Sequence, residues 1–156
     1  MVRKSRIDKG GLYYRVYNKA CWDKTLFENE DDFRIVKEKF SEAKSATKMR
    51  ILAYCFMPDH FYLILYPVND GDMRKFMQLA IGAHTHWWHR MHKTSGSGPI
   101  YKGRYKSEII PEDQLSQQIE EVESCPVRDK CAETPVEYKH SSASARVEKD
   151  FMLLTK

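Results

Sequence analysis

The chain has 156 residues, 42% of them hydrophobic, which suits one domain with a real core and requires no second. No apolar run approaches the roughly 20 residues of a membrane span. No apolar stretch follows the basic start Met1-Val2-Arg3-Lys4 to make a signal peptide, so a cytoplasmic protein with no membrane partner is expected. Net charge is 26 − 22 = +4, weak evidence of a polyanionic partner by itself. Its distribution says more. Between Met73 and Ser107 there is no acid, against Arg74, Lys75, Arg90, Lys93, Lys102, Arg104 and Lys106; between Glu112 and Glu137 the balance reverses. The cysteines, Cys21, Cys55, Cys125 and Cys131, have no C-x-x-C spacing, so reduced thiols and no zinc ribbon are expected.

A basic arm from Arg3 to Lys9 ends at Gly10-Gly11, and Tyr13 to Val16 reads as a strand. Asp31 or Asp32 can cap a helix running to about Lys44, with Phe33, Val36 and Phe40 as its core stripe. Met49 to Phe56 and His60 to Tyr66 read as two strands joined at Pro58-Asp59. In the second, His60, Tyr62, Ile64 and Tyr66 share one face, and Phe61, Leu63 and Leu65 the other. A long helix follows from Asp72, its candidate N-cap, to about Lys93, with an apolar stripe of Phe76, Leu79, Ala80, Ala83, Trp87 and Met91. Thr94 to Pro99 reads as a flexible hinge. Ile100 to Ile110 reads as a strand interrupted by Gly103, and Glu112 to about Ser124 as the last helix, with core positions Leu115, Ile119 and Val122. Pattern alone gives the α+β class.

Met57-Pro58-Asp59-His60-Phe61-Tyr62-Leu63-Ile64-Leu65 resembles the Met-Pro-Asn-His-hydrophobic-His strand of the REP-associated tyrosine transposases, a branch of the single-tyrosine HUH transposases. The resemblance runs from about Arg6 to Ser142. Tyr101-Lys102-Gly103-Arg104-Tyr105-Lys106-Ser107 resembles a Trp-x-Gly-Arg-Phe-Lys-Ser segment, and Cys125-Pro126-Val127-Arg128 an Asn-Pro-Val-Arg segment. It implies an HUH, ferredoxin-like antiparallel sheet of about four or five strands carrying helices. It also implies DNA strand cleavage and rejoining through a phosphotyrosine, with magnesium or manganese as cofactor and single-stranded or hairpin DNA as partner. Monomers and homodimers both occur among the relatives.

In that family two histidines on the strand and a polar residue on the last helix hold the metal, and a tyrosine lies five residues before the proline of Asn-Pro-Val-Arg. Carried over by position, His60 matches the first histidine, Tyr62 stands at the second, Glu121 at the tyrosine and Cys125 at the polar ligand. Only His60 is kept. A phenol of pKa about 10 is a poor ligand at neutral pH, and sulfur is soft where the implied cation prefers oxygen. A Glu121 acyl phosphate would hydrolyse instead of rejoining. Lost or impaired chemistry is therefore expected, with His60 the remaining metal candidate. Tyr101, Tyr105 and Tyr138 match family aromatics other than the nucleophile.

His84, His86, His89 and His92 read as a polar face whose imidazoles and bases meet phosphate, in preference to a zinc site, because no carboxylate accompanies them. DNA binding rests on the seven bases named above, with Trp88, Tyr101 and Tyr105 as stacking faces. Two other readings remain: an altered-site nuclease dependent on His60, and a scaffold whose acidic last helix is the contact surface.

Overall fold

The computed structural model describes residues 7–21, 25–92 and 99–155. The basic arm up to Arg6, the Asp23-Lys24 segment, Lys93 and most of the expected hinge lie outside them. Four strands, β1 (Tyr13–Lys19), β2 (Arg50–Met57), β3 (His60–Tyr66) and β4 (Lys106–Ile110), form an antiparallel sheet in the order β2-β3-β1-β4. Among the described residues five α-helices accompany it: α1 (Glu30–Thr47), α2 (Asp72–Met91), α3 (Leu115–Glu123), α4 (Cys125–Arg128) and α5 (Ser142–Glu148).

Alternation along the strands divides the sheet into two faces. Tyr14, Val16, Phe61, Leu63 and Leu65 point to α1 and α2, where Phe40 packs edge-on against Phe56, Phe61 and Phe76. Ala53, Cys55, Met57 and Ile64 point to the other face and meet Val122 of α3 and Cys125 of α4. An irregularity between Ile51 and Ala53 shifts the register of β2. Were Leu52 paired in regular register after Ile51, Cys55 would turn to the opposite face. The outer edge of β2 is covered by the chain after residue 139: the Phe56 amide donates to the His140 carbonyl and the Tyr54 amide to Ser142 Oγ. That cover closes an edge that could otherwise pair with another chain.

Several local expectations shift. The α1 cap is Asn29, whose side chain accepts from the Asp32 amide at 3.0 Å, while Asp32 accepts from the Glu28 amide at 2.6 Å, so reciprocal acceptors tie the entering chain to the first turn. Asp72 does not cap α2. Asp8 does, accepting from the amides of Met73 and Arg74 at 3.2 and 2.8 Å, while Gly71 takes the left-handed φ of 84° that the entry requires. The α2 core stripe is Met73, Phe76, Met77, Ala80, His84 and Trp88, rotated from the expected one, which leaves Leu79 and Met91 exposed. The expected strand from Ile100 regularises only at Lys106; before it, Tyr101 makes a single bridge to Ala20 and Gly103 turns the chain at φ 67°. The helix expected as last is followed by α4 and α5.

Candidate functional site

The site lies on the α3/α4 face, at the end of the sheet where β3 begins. Antiparallel pairing sets Lys19 opposite His60 and Tyr17 opposite Tyr62. The rings of Tyr17 and Tyr62 lie 4.9 Å apart, and those of Tyr17 and His60 6.1 Å apart. Over this strand face α3 brings Gln118 and Glu121, both held by the Arg15 guanidinium at 2.8 and 3.0 Å, and Arg15 itself covers the Tyr62 ring at 4.9 Å. Helical spacing predicts a lateral stripe of Gln114, Gln118, Glu121 and Cys125, and Gln118, Glu121 and Cys125 are brought to this face of the sheet. Glu121 is engaged by a cation, and Cys125 is the member that reaches the histidine.

His60 is the centre of that contact. Its Nδ1 lies 2.7 Å from Asp59 Oδ1, and its Nε2 lies 3.7 Å from Cys125 Sγ and 3.8 Å from Asp129 Oδ2. Cys125 Sγ and Asp129 Oδ2 are 3.8 Å apart. Burial pulls the His60 pKa down, but hydrogen bonds to Cys125 and Asp59 outweigh it and leave it raised. The buried Cys125 thiol is drawn down to about 5, first by hydrogen bonding from Cys55 and then by His60, against the opposing effects of burial and Asp129. Cys55 moves the other way and keeps its proton. Tyr17 is raised, first by burial and then by Tyr62, Asp59 and Cys125, so its hydroxyl stays protonated.

Sequence reasoning missed Asp129, which stands four residues after Cys125 and therefore on the same side of the short helix. That spacing was the available signal. It also missed Tyr17, whose position beside His60 follows only from the pairing of β1 with β3.

The other expectations divide sharply. Arg74, Lys75, Arg90, Lys102, Arg104 and Lys106 are all exposed. They do not form one patch, because 16 residues of α2 separate Arg74 from Arg90 by about 24 Å at 1.5 Å per residue. Trp88, Tyr101 and Tyr105 are buried, at 7%, 4% and 8% exposure, and so offer no open stacking faces. Tyr101 lies 2.8 Å from the buried His84 Nδ1, away from His60, and the Tyr138 hydroxyl donates to the Phe56 carbonyl at 2.7 Å while the Tyr138 ring packs on the cluster that holds Cys55 and Cys125. The histidine run does not make a polar face. His84 and His89 are buried, and the His92 ring stacks on Trp88 at 3.8 Å.

Two clefts meet the turn from Lys102 to Tyr105. One, of about 330 Å³, is lined by Asn18, Arg74, Gln78, Arg104 and Tyr105 with apolar residues of α2. The next, of about 190 Å³, is lined by Lys19, Ala20, Asp59 and Lys102. The turn from Lys102 to Tyr105 connects them, and Asp59 joins the second to His60.

A family model for IS200-like transposases matches residues 9–123. The chain belongs to that family. Its structure is similar to that of a REP-associated tyrosine transposase bound to a REP hairpin, with a TM-score of 0.74, 13% identity, and coverage of 96% of this chain and 87% of that one. It is also similar to a protein of Deinococcus radiodurans R1 provisionally assigned as a transposase, with a TM-score of 0.52, 17% identity, and coverage of 77% and 97%. At these identities the likeness shows the fold. No curated protein matches the chain. No helix among the described residues is long and apolar enough to cross a membrane.

Members of the family use a divalent cation, and His60, Cys125 and Asp129 form a group able to hold one. The donors are one nitrogen, one sulfur and one carboxylate oxygen. Magnesium and manganese prefer shells of oxygen, so this set does not fit them.

Proposed function

We propose that this chain is a cytoplasmic, DNA-binding member of the IS200-like transposase family that takes up single-stranded or hairpin DNA, with tyrosyl transfer lost or impaired. The observation that carries this reading is the basic track. Arg74 and Arg104 line one cleft, Lys19 and Lys102 the next, and that second cleft ends at Asp59, the hydrogen-bond partner of His60. A flexible phosphate backbone laid along the turn from Arg104 to Lys102 meets several cations before it reaches the site. The REP hairpin held by the structural neighbour supports a partner of that kind. Loss of tyrosyl transfer is supported by Glu121, which matches the family's tyrosine position by its count back from Pro126 and is paired to Arg15. A homodimer is compatible with this reading and is not required by it.

Titration of binding to a labelled hairpin against salt tests the proposal. Each phosphate contact adds about 0.7–0.9 to the slope of log affinity against log salt. Arg74→Ala and Arg104→Ala are expected each to flatten the slope by about one contact. Salt-independent binding, or none, would remove this reading in favour of the acidic-scaffold one.

A second reading, an altered-site nuclease, is favoured by Tyr17, a phenol beside His60. It requires metal-dependent nicking that both His60→Ala and Tyr17→Phe abolish. The raised pKa of Tyr17 weighs against it.

A further inference from the structure

We propose that His60, Cys125 and Asp129 bind a thiophilic divalent cation of the zinc class in place of the hard cation of the family. The inference is independent of DNA binding. Zinc bonds of about 2.3 Å to sulfur and about 2.0–2.2 Å to nitrogen and oxygen require tetrahedral edges of about 3.6 Å for sulfur–nitrogen and sulfur–oxygen and about 3.4 Å for nitrogen–oxygen. The observed separations are 3.7, 3.8 and 3.8 Å. The three donors thus already form one face of a zinc tetrahedron, and shifts of a few tenths of an ångström would complete it.

The surroundings fit the same ligand. His60 Nδ1 is engaged by the Asp59 carboxylate at 2.7 Å, which orients the ring with Nε2 towards Cys125 and Asp129. A carboxylate on the far nitrogen is the usual support of a zinc-bound histidine. Cys55, fully buried, packs in the same cluster as Cys125 and is within its hydrogen-bonding reach. Backbone geometry supplies the rest: Cys125 opens the short helix α4 and Asp129 is its C-cap, while His60 is the first residue of β3.

Donor chemistry sets the selectivity. Sulfur and imidazole favour zinc, cobalt or cadmium over magnesium, and one thiolate with one carboxylate balances a charge of two. The fourth position opens beside Asp129, whose side chain is 46% exposed, and admits water or a phosphate oxygen.

The test uses the full chain, reduced and stripped with a chelator, titrated with cobalt(II). The expected result is a thiolate-to-cobalt charge-transfer band and the visible bands of a tetrahedral ion, saturating at one equivalent. Zinc should abolish both, and millimolar magnesium should leave both unchanged. Cys125→Ser should remove the charge-transfer band, and Asp59→Asn should weaken binding about 10–100-fold. Asp129→Asn, at an exposed position, should weaken binding at least tenfold without affecting folding. Cys131→Ser should change nothing, since the Cys131 sulfur is exposed and outside the triangle. A charge-transfer band that survives Cys125→Ser, a band lost in Cys131→Ser, cobalt binding without sulfur character, or displacement by magnesium would each overturn the proposal.

Discussion

On the α1/α2 face of the sheet, Phe40, Phe56, Phe61 and Phe76 close into a dry aromatic cluster, while the α3/α4 face sets Arg15, Tyr17, His60 and Tyr62 under a short helix that carries Cys125. The same strands build both, because successive side chains alternate. The first face contributes stability and tolerates little change. The second meets solvent at Asp129 and Glu121, and there, on the function proposed above, the residue types depart from the family pattern while the fold is kept. Scaffold and chemistry are thus separable within one sheet.

Three substitutions or conditions sharpen that contrast. Phe40→Ala empties the centre of the aromatic cluster and should cost about 3–5 kcal/mol in a denaturant melt, with the cobalt spectrum unchanged wherever the protein stays folded. Acid should act next. Burial holds His84 neutral, with its pKa lowered to about 3, whereas in the unfolded chain it protonates near 6.5. Between those values the unfolded state binds more protons, so stability falls as pH drops from about 6.5 towards 3. The loss should reach about 2 kcal/mol by pH 5, at 1.36 kcal/mol per pH unit. His84→Gln should flatten that slope in melts across the range. The smallest effect is expected on the open face: Glu121→Gln breaks a partly exposed pair with Arg15 and should cost less than about 1 kcal/mol.

Much of this architecture was legible in the residues. The alternation from His60 to Tyr66 gave β3 and its two faces, and the spacing back from Pro126 placed Glu121 and Cys125 on a stripe that does meet that strand. The α2 stripe was misread because His84 is polar yet occupies a core position, paired with Tyr101; skipping it rotated the stripe and made Trp88 an open aromatic. Tyr101 and Tyr105 misled for a related reason. Aromatics among bases suggest stacking, but the left-handed turn at Gly103 exposes Lys102 and Arg104 while the rings go inward. Asp8, which caps α2 from 65 residues away, leaves no local trace in the sequence. Asp129 sat in an acidic stretch where nothing but its spacing from Cys125 distinguished it.

The central claim is that this scaffold holds DNA without forming a tyrosyl linkage. Incubating a labelled hairpin with the full chain and magnesium, manganese or zinc, then dividing the sample between native and denaturing gels, tests it most directly. The account predicts a shifted band on the native gel and intact free hairpin on the denaturing one. A protein–DNA band that survives denaturation would contradict it.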